Sequence, residues 1–269
     1  MIGVFDSGFG GLTILRDLQK ALPEYDYLYL GDNARAPYGS RSFETIYRYT
    51  LQAVRELFSR GCPLVILACN TASARALRSI QQDVLPFEFP DRRVLGIIRP
   101  TAEEAGSFSQ TGHIGIFATA GTVSSGSYTI EINRFFPDLK VTQHACPMWV
   151  PLVEYGEKGT EGAQFFVQKE VNALMREDPE IDAVLLACTH YPLLEAEIRK
   201  ALPAGVRPVF QGDIVAHKTA DYLKRHPEIE SRLTKTGKTS YLTTDTAKFF
   251  EKGAKLFGMS DICAESLTF

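Results

Sequence analysis

At 269 residues, with 45% hydrophobic and 23% charged residues, the chain carries enough apolar content for one large core or two modest ones, which excludes a disordered chain. Its net charge is −3 and its basic residues are scattered, so there is no phosphate-neutralising stripe and no nucleic-acid partner is expected. No apolar run approaches the roughly 18 to 20 residues that cross a bilayer, and Met1 to Asp6 reads as a strand rather than a charged signal-peptide head, so no membrane association and a cytoplasmic location are expected.

Short apolar runs bounded by glycine or proline alternate with segments of helical period, the pattern of a mainly parallel sheet with crossover helices. Ile2 to Phe5 reads as the first strand. The turn Asp6-Ser7-Gly8-Phe9-Gly10-Gly11 leads into a helix with Leu12, Leu15, Leu18 and Leu22 on one face. Its glycines read as suppliers of positive φ. Tyr27 to Leu30 is a second strand, followed by a loop from Gly31 to Ser40 and a helix with Phe43, Ile46, Tyr47, Thr50, Val54 and Leu57 at helical spacing. Leu64 to Ala68 is a third strand, running through Cys69-Asn70-Thr71 into a helix over Ser73 to about Gln82.

The chain then repeats itself. Ile2-Gly3-Val4-Phe5 returns as Ile114-Gly115-Ile116-Phe117, 112 residues later, and the strand ending in Cys69 returns as Val184-Leu185-Leu186-Ala187-Cys188, with the cysteines 119 apart. Two matches in the same order predict two copies of one α/β unit. The expected fold is therefore two pseudo-symmetric, doubly wound α/β domains with mainly parallel sheets, residues 1–94 plus 208–269 and residues 95–207. Ligands of such sheets sit beyond the carboxyl ends of the strands, which places Cys69 and Cys188 in one interdomain cleft with Asp6, Ser7 and Thr119.

The five cysteines, Cys62, Cys69, Cys146, Cys188 and Cys263, are odd in number and irregularly spaced. That pattern fits reduced thiols, and no Cys/His group has the spacing of a structural zinc site, so no metal is expected. A cysteine just before a helix gains from the free N–H groups and the dipole of the helix start. Asn70-Thr71 and Thr189-His190 follow the two thiols and offer hydrogen bonds to a ligand, or caps to a helix. Pro192, with Glu195 and Glu197 early and Arg199 and Lys200 late, marks a helix from near Tyr191. Cys62, Cys146 and Cys263 lie outside this pattern and read as structural. Two opposed thiols suit proton transfer at one carbon from two faces, a reaction that needs neither metal nor redox partner.

At these residues the chain resembles the aspartate/glutamate racemase family, and within it the bacterial glutamate racemases. The motifs are Asp6 to Leu12, Gly31-Asp32 through Pro37-Tyr38-Gly39, Cys69-Asn70-Thr71-Ala72, and Cys188-Thr189-His190-Tyr191-Pro192. The histidine of the last motif separates it from the aspartate racemases, which carry an acidic residue there. The resemblance implies cofactor-independent interconversion of L- and D-glutamate, supplying D-glutamate for peptidoglycan, by a homodimer. Cys69 would take the proton from D-glutamate with help from Asp6, and Cys188 from L-glutamate with help from Glu154 and His190. Substrate contacts fall on Asp6, Ser7, Tyr38, Gly39, Asn70, Thr71, Thr189 and His190, with Thr119 and Thr122 near a carboxylate. Arg99 and the turn Phe210-Gln211-Gly212 depart from the family pattern. Three alternatives remain at this stage: racemization of aspartate or a hydantoin, non-catalytic binding of an acidic ligand, and thiol redox chemistry, which would need Cys69 and Cys188 within disulfide reach.

Overall fold

The computed structural model describes all 269 residues. Ten strands divide between two sheets: β1 (Ile2–Asp6), β2 (Tyr27–Gly31), β3 (Leu64–Leu67), β4 (Arg93–Gly96), β5 (His113–Ala118), β6 (Lys140–Ala145), β7 (Ala183–Ala187), β8 (Arg207–Val209), β9 (Thr239–Thr243) and β10 (Ala264–Ser266). One sheet has the order β10-β9-β2-β1-β3-β4 and the other β6-β5-β7-β8, every pair being parallel. Parallel strands need crossovers, and the helices that supply them cover both faces, so every residue of β1, β2, β3 and β7 is buried.

The repeat in the sequence has its counterpart in the topology. β5 is flanked by β6 and β7, with β8 beyond, as β1 is flanked by β2 and β3, with β4 beyond. The first sheet is extended on the β2 side by β9 and β10, which follow the second sheet in the chain. The expected domain crossings at residues 94 and 208 fall inside β4 and β8. Hydrogen bonding keeps β4 with the first sheet to Gly96 and β8 with the second to Val209, so each crossing lies beyond the residue expected.

The helix Leu12–Ala21 buries Leu12, Leu15 and Leu18 as its spacing demands, and packs against the helix Gly212–Arg225. In the helix Phe43–Ser59, Ile46, Thr50, Val54 and Leu57 are buried, but Phe43 stands in the first turn and is half exposed. Ser42 caps this helix, accepting from the Thr45 N–H at 3.3 Å. The largest apolar cluster takes Ile2, Val4 and Leu15 from the first sheet's side and Val184, Leu186 and Tyr191 from the second's, so the two units share a core. No helix is long and apolar enough to cross a membrane.

Candidate active site

Four strand ends converge on the chemistry: Asp6 closes β1, Cys69 follows β3 by two residues, Thr119 follows β5 and Cys188 follows β7. Cys69 is the N-cap of the helix Asn70–Ser79, which starts three residues earlier than its composition suggested because the cysteine itself caps it. Its Sγ accepts from the Ala72 N–H at 3.4 Å and lies 3.4 Å from Ser7 Oγ. Burial, then the charge of Asp6, pushes the thiol up to about 12, against the Ser7 and Ala72 hydrogen bonds that favour the anion.

Asp6 is fully buried. Its Oδ1 accepts from the Gly8 N–H at 2.9 Å and its Oδ2 from the Thr189 hydroxyl at 3.4 Å. Burial raises its pKa, while His190 and the Gly8 and Gly11 N–H groups oppose the rise. The carboxylate thus reaches Cys69 through space, and Ser7 makes the contact with the sulfur. Asp6 is not the cap of the first helix, whose N-cap is Gly11 without a side-chain bond.

On the other side, Cys188 Sγ lies 3.9 Å from His190 Nδ1, and His190 Nε2 lies 2.9 Å from Glu154 Oε1. Glu154 ends the helix Trp149–Glu154, held by the fully buried Trp149 against Phe117 and Tyr191. Burial works against a charge on His190, but the hydrogen bonds to Cys188 and Glu154 outweigh it and push the imidazole up to about 10. The helix expected from near Tyr191 is a 3-10 turn over Tyr191–Leu194, and α-helix begins only at Glu195. Cys188 therefore caps no α-helix. An imidazole stands where the first thiol has a helix start.

The glycines of the first turn act differently from the expectation. None of Gly8, Gly10 and Gly11 has positive φ. A β-carbon at Gly10 would overlap Thr189 Oγ1 and lie 2.5 Å from His190 Nδ1. Close approach of the second cysteine motif to this turn, rather than a special backbone angle, requires glycine there.

Three hydroxyls from both units meet: Thr71 Oγ1 is 2.9 Å from Thr119 Oγ1 and 3.5 Å from Thr122 Oγ1, and Thr119 and Thr122 are 3.2 Å apart. Thr119 also caps the helix Ala120–Ser125. Gly39 comes against this group, with its carbonyl accepting from the Gly121 N–H at 2.9 Å and no room for a β-carbon beside Thr119. Tyr38 is buried between Phe5 and Tyr49, and its hydroxyl donates to Asp32, so its side chain is committed to the loop. Asn70 and Thr189 are buried beside their cysteines.

Sequence reasoning did not single out Thr13, whose hydroxyl donates to the Thr189 carbonyl at 3.1 Å, or Tyr29, which donates to the Gly8 carbonyl at 2.8 Å. A hydroxyl on the buried face of an apolar segment was the available signal. All five cysteines are free. Cys62 and Cys146 are packed in cores, but Cys263 is exposed and has no packing role.

A family model described as Asp/Glu/Hydantoin racemase matches residues 2–218. A glutamate racemase of Ruegeria pomeroyi is 42% identical over 253 residues, covering 90% of this chain and 91% of that protein. A crystal structure of a glutamate racemase isoform from Bacillus anthracis superposes with a TM-score of 0.89 at 32% identity, over 100% of this chain and 97% of the other. That of the Francisella tularensis glutamate racemase in complex with D-glutamate has a TM-score of 0.86 at 28% identity, over 99% and 97%. Matched by the family model over most of its length and 42% identical to a glutamate racemase over 90% of it, the chain belongs to the Asp/Glu/hydantoin racemase family.

Proposed function

We propose that the chain racemizes glutamate by two-thiol acid/base catalysis without a cofactor. The observation that carries this reading is the pair of cysteines at equivalent strand ends, each with its own proton-handling partners: Ser7 and Asp6 for Cys69, His190 and Glu154 for Cys188. In the L-to-D direction Cys188 removes the α-proton and the electron pair passes into the α-carboxylate. Cys69, held as a neutral thiol by burial and Asp6, then returns a proton to the opposite face of the carbon. The reverse direction exchanges the two roles.

The imidazolium of His190 stabilises negative charge on the Cys188 sulfur, and Glu154 holds the ring in place. The Thr71, Thr119 and Thr122 hydroxyls are placed to donate to one substrate carboxylate, and Ser7, Asn70, Thr189 and the backbone of Tyr38 and Gly39 to supply the remaining contacts. Glutamate rather than aspartate is supported by His190 after the second cysteine and by the glutamate racemases among the relatives. The reading extends to a cytoplasmic homodimer supplying D-glutamate for peptidoglycan, and light scattering after gel filtration checks the dimer.

The test is incubation with L-glutamate in D2O, following optical rotation and deuterium at Cα. Decay of rotation with deuterium entry supports the reading. Inert glutamate with turnover of aspartate transfers it to the shorter substrate, and binding without exchange leaves a ligand-binding protein.

A further inference from the structure

The turn Phe210-Gln211-Gly212 places Gln211 against Asn70 at the junction of the two units. Asn70 Nδ2 donates to Gln211 Oε1 at 2.9 Å, Gln211 Nε2 donates to the Tyr128 hydroxyl at 2.6 Å, and that hydroxyl donates to Asn70 Oδ1 at 2.5 Å. The three side chains form a closed, buried ring. Asn70 begins the helix after β3, Tyr128 lies in the helix Ser127–Phe135 after β5, and Gln211 follows β8 by two residues.

A ring of two amides and a hydroxyl could circulate in either sense, but its surroundings allow one. The Thr101 hydroxyl donates to the Ile97 carbonyl at 2.7 Å, so Thr101 Oγ1 can only accept from Gln211, 3.0 Å away. That requires the nitrogen of Gln211 on this side, with both its protons then taken by Thr101 and Tyr128. Tyr128 must turn its proton to Asn70 Oδ1, and Asn70 must give one Nδ2 proton to Gln211 Oε1. A helix carbonyl thereby sets the orientation of a carboxamide beside the thiol of Cys69.

We propose that Gln211, acting through Tyr128, is a positioning residue that fixes the Asn70 carboxamide so that its second Nδ2 proton is reserved for a substrate carboxylate. The inference rests on the racemase reading, which assigns Asn70 a substrate contact. Without the full ring the amide is less firmly oriented, and binding an anion must first order it, which weakens binding without touching the thiols.

The experiment compares kcat and KM for both enantiomers, with melting temperature, in wild type, Tyr128→Phe, Gln211→Met, Asn70→Ala and Asn70→Ala/Gln211→Met. Wild-type turnover checks the racemase reading separately. Independently of substrate, the two Asn70 Nδ2 protons should be shifted away from those of an exposed asparagine and slow to exchange with solvent in wild type, and should move toward exposed values and exchange faster in Gln211→Met. The expected result is a KM raised about 10-fold for both enantiomers in Tyr128→Phe and Gln211→Met, with kcat changed less than about twofold. Gln211→Met should add nothing further to the KM of Asn70→Ala. Wild-type KM in the single variants, additive effects in the double variant, or an unchanged Asn70 amide signal would overturn the inference. If Gln211→Met does not fold, Tyr128→Phe, which loses one oxygen atom, carries the test by itself.

Discussion

Cys69 and Cys188 follow strands of the same rank in two sheets that share a four-strand order, yet their surroundings share almost nothing. The first caps an α-helix, touches a serine hydroxyl and sits near a buried carboxylate that disfavours its ionisation. The second caps no α-helix and touches a histidine that a glutamate holds in the charged form. Topology places a thiol, but local partners decide which charges and hydrogen bonds surround it. At Cys69 the helix start is outweighed by burial and Asp6, whereas at Cys188 a charged imidazole stands beside the sulfur.

The most severe way to break this comparison is to remove the sulfurs one at a time. Cys69→Ser and Cys188→Ser should each lower racemization by about 10³-fold or more, because serine is a far weaker acid and neither thiol replaces the other. Optical rotation of glutamate measures it, and activity retained in either variant would remove the two-base mechanism.

Next in size is His190→Asn, expected to lower kcat/KM by about 10²-fold, with Glu154→Gln lowering it about 10-fold. The two enantiomers are equally stable in water, so kcat/KM must fall equally in both directions in every variant; the asymmetry of the site can appear only in kcat and KM taken separately. His190 also leaves a mark on stability. Its folded pKa, about 10, lies above the ordinary 6.5, so the stabilisation is fully present below about pH 6.5 and is lost as pH rises through about 10. The melting temperature of wild type should approach that of His190→Asn as pH is raised across this window.

Gly10→Ala should cost about 1–3 kcal/mol of stability by forcing a β-carbon against Thr189 and His190, with activity falling alongside. Urea unfolding measures the loss, and an unchanged midpoint would show that the first turn and the Cys188-Thr189-His190 segment can separate. The smallest effect belongs to Ser7→Ala, which removes one hydrogen bond from Cys69 and should lower kcat by about 5-fold.

Strand ends and thiols were legible because each is a local pattern: an apolar run, a stop, a polar residue type. The echo of Ile2–Phe5 in Ile114–Phe117 carried the topology, since equal strands in equal order require equal neighbours. Pairings between distant residues were not legible. Glu154 and His190, 36 apart, were joined only through the family resemblance, and Asn70 and Gln211, 141 apart, were not joined at all. The glycines illustrate a subtler failure. Their positions were plain, but the reason for Gly10 is a neighbour 179 or 180 positions away, invisible to rules about turns. Strand β9 is short, polar and only partly buried, held between β2 and β10, so periodicity alone did not mark it.

The matching strand order of the two sheets has a consequence for chirality. Two units built from L-residues share one handedness, so they can be brought into register by rotation but never by reflection. The enantiomers of an amino acid are related only by reflection. Exchanging the two halves would therefore return the same enantiomer in a turned orientation, and even a perfectly duplicated protein would meet its two substrates differently. The two directions would thus differ even with like partners at Cys69 and Cys188, so the symmetry of the two units gives no reason for those partners to be alike.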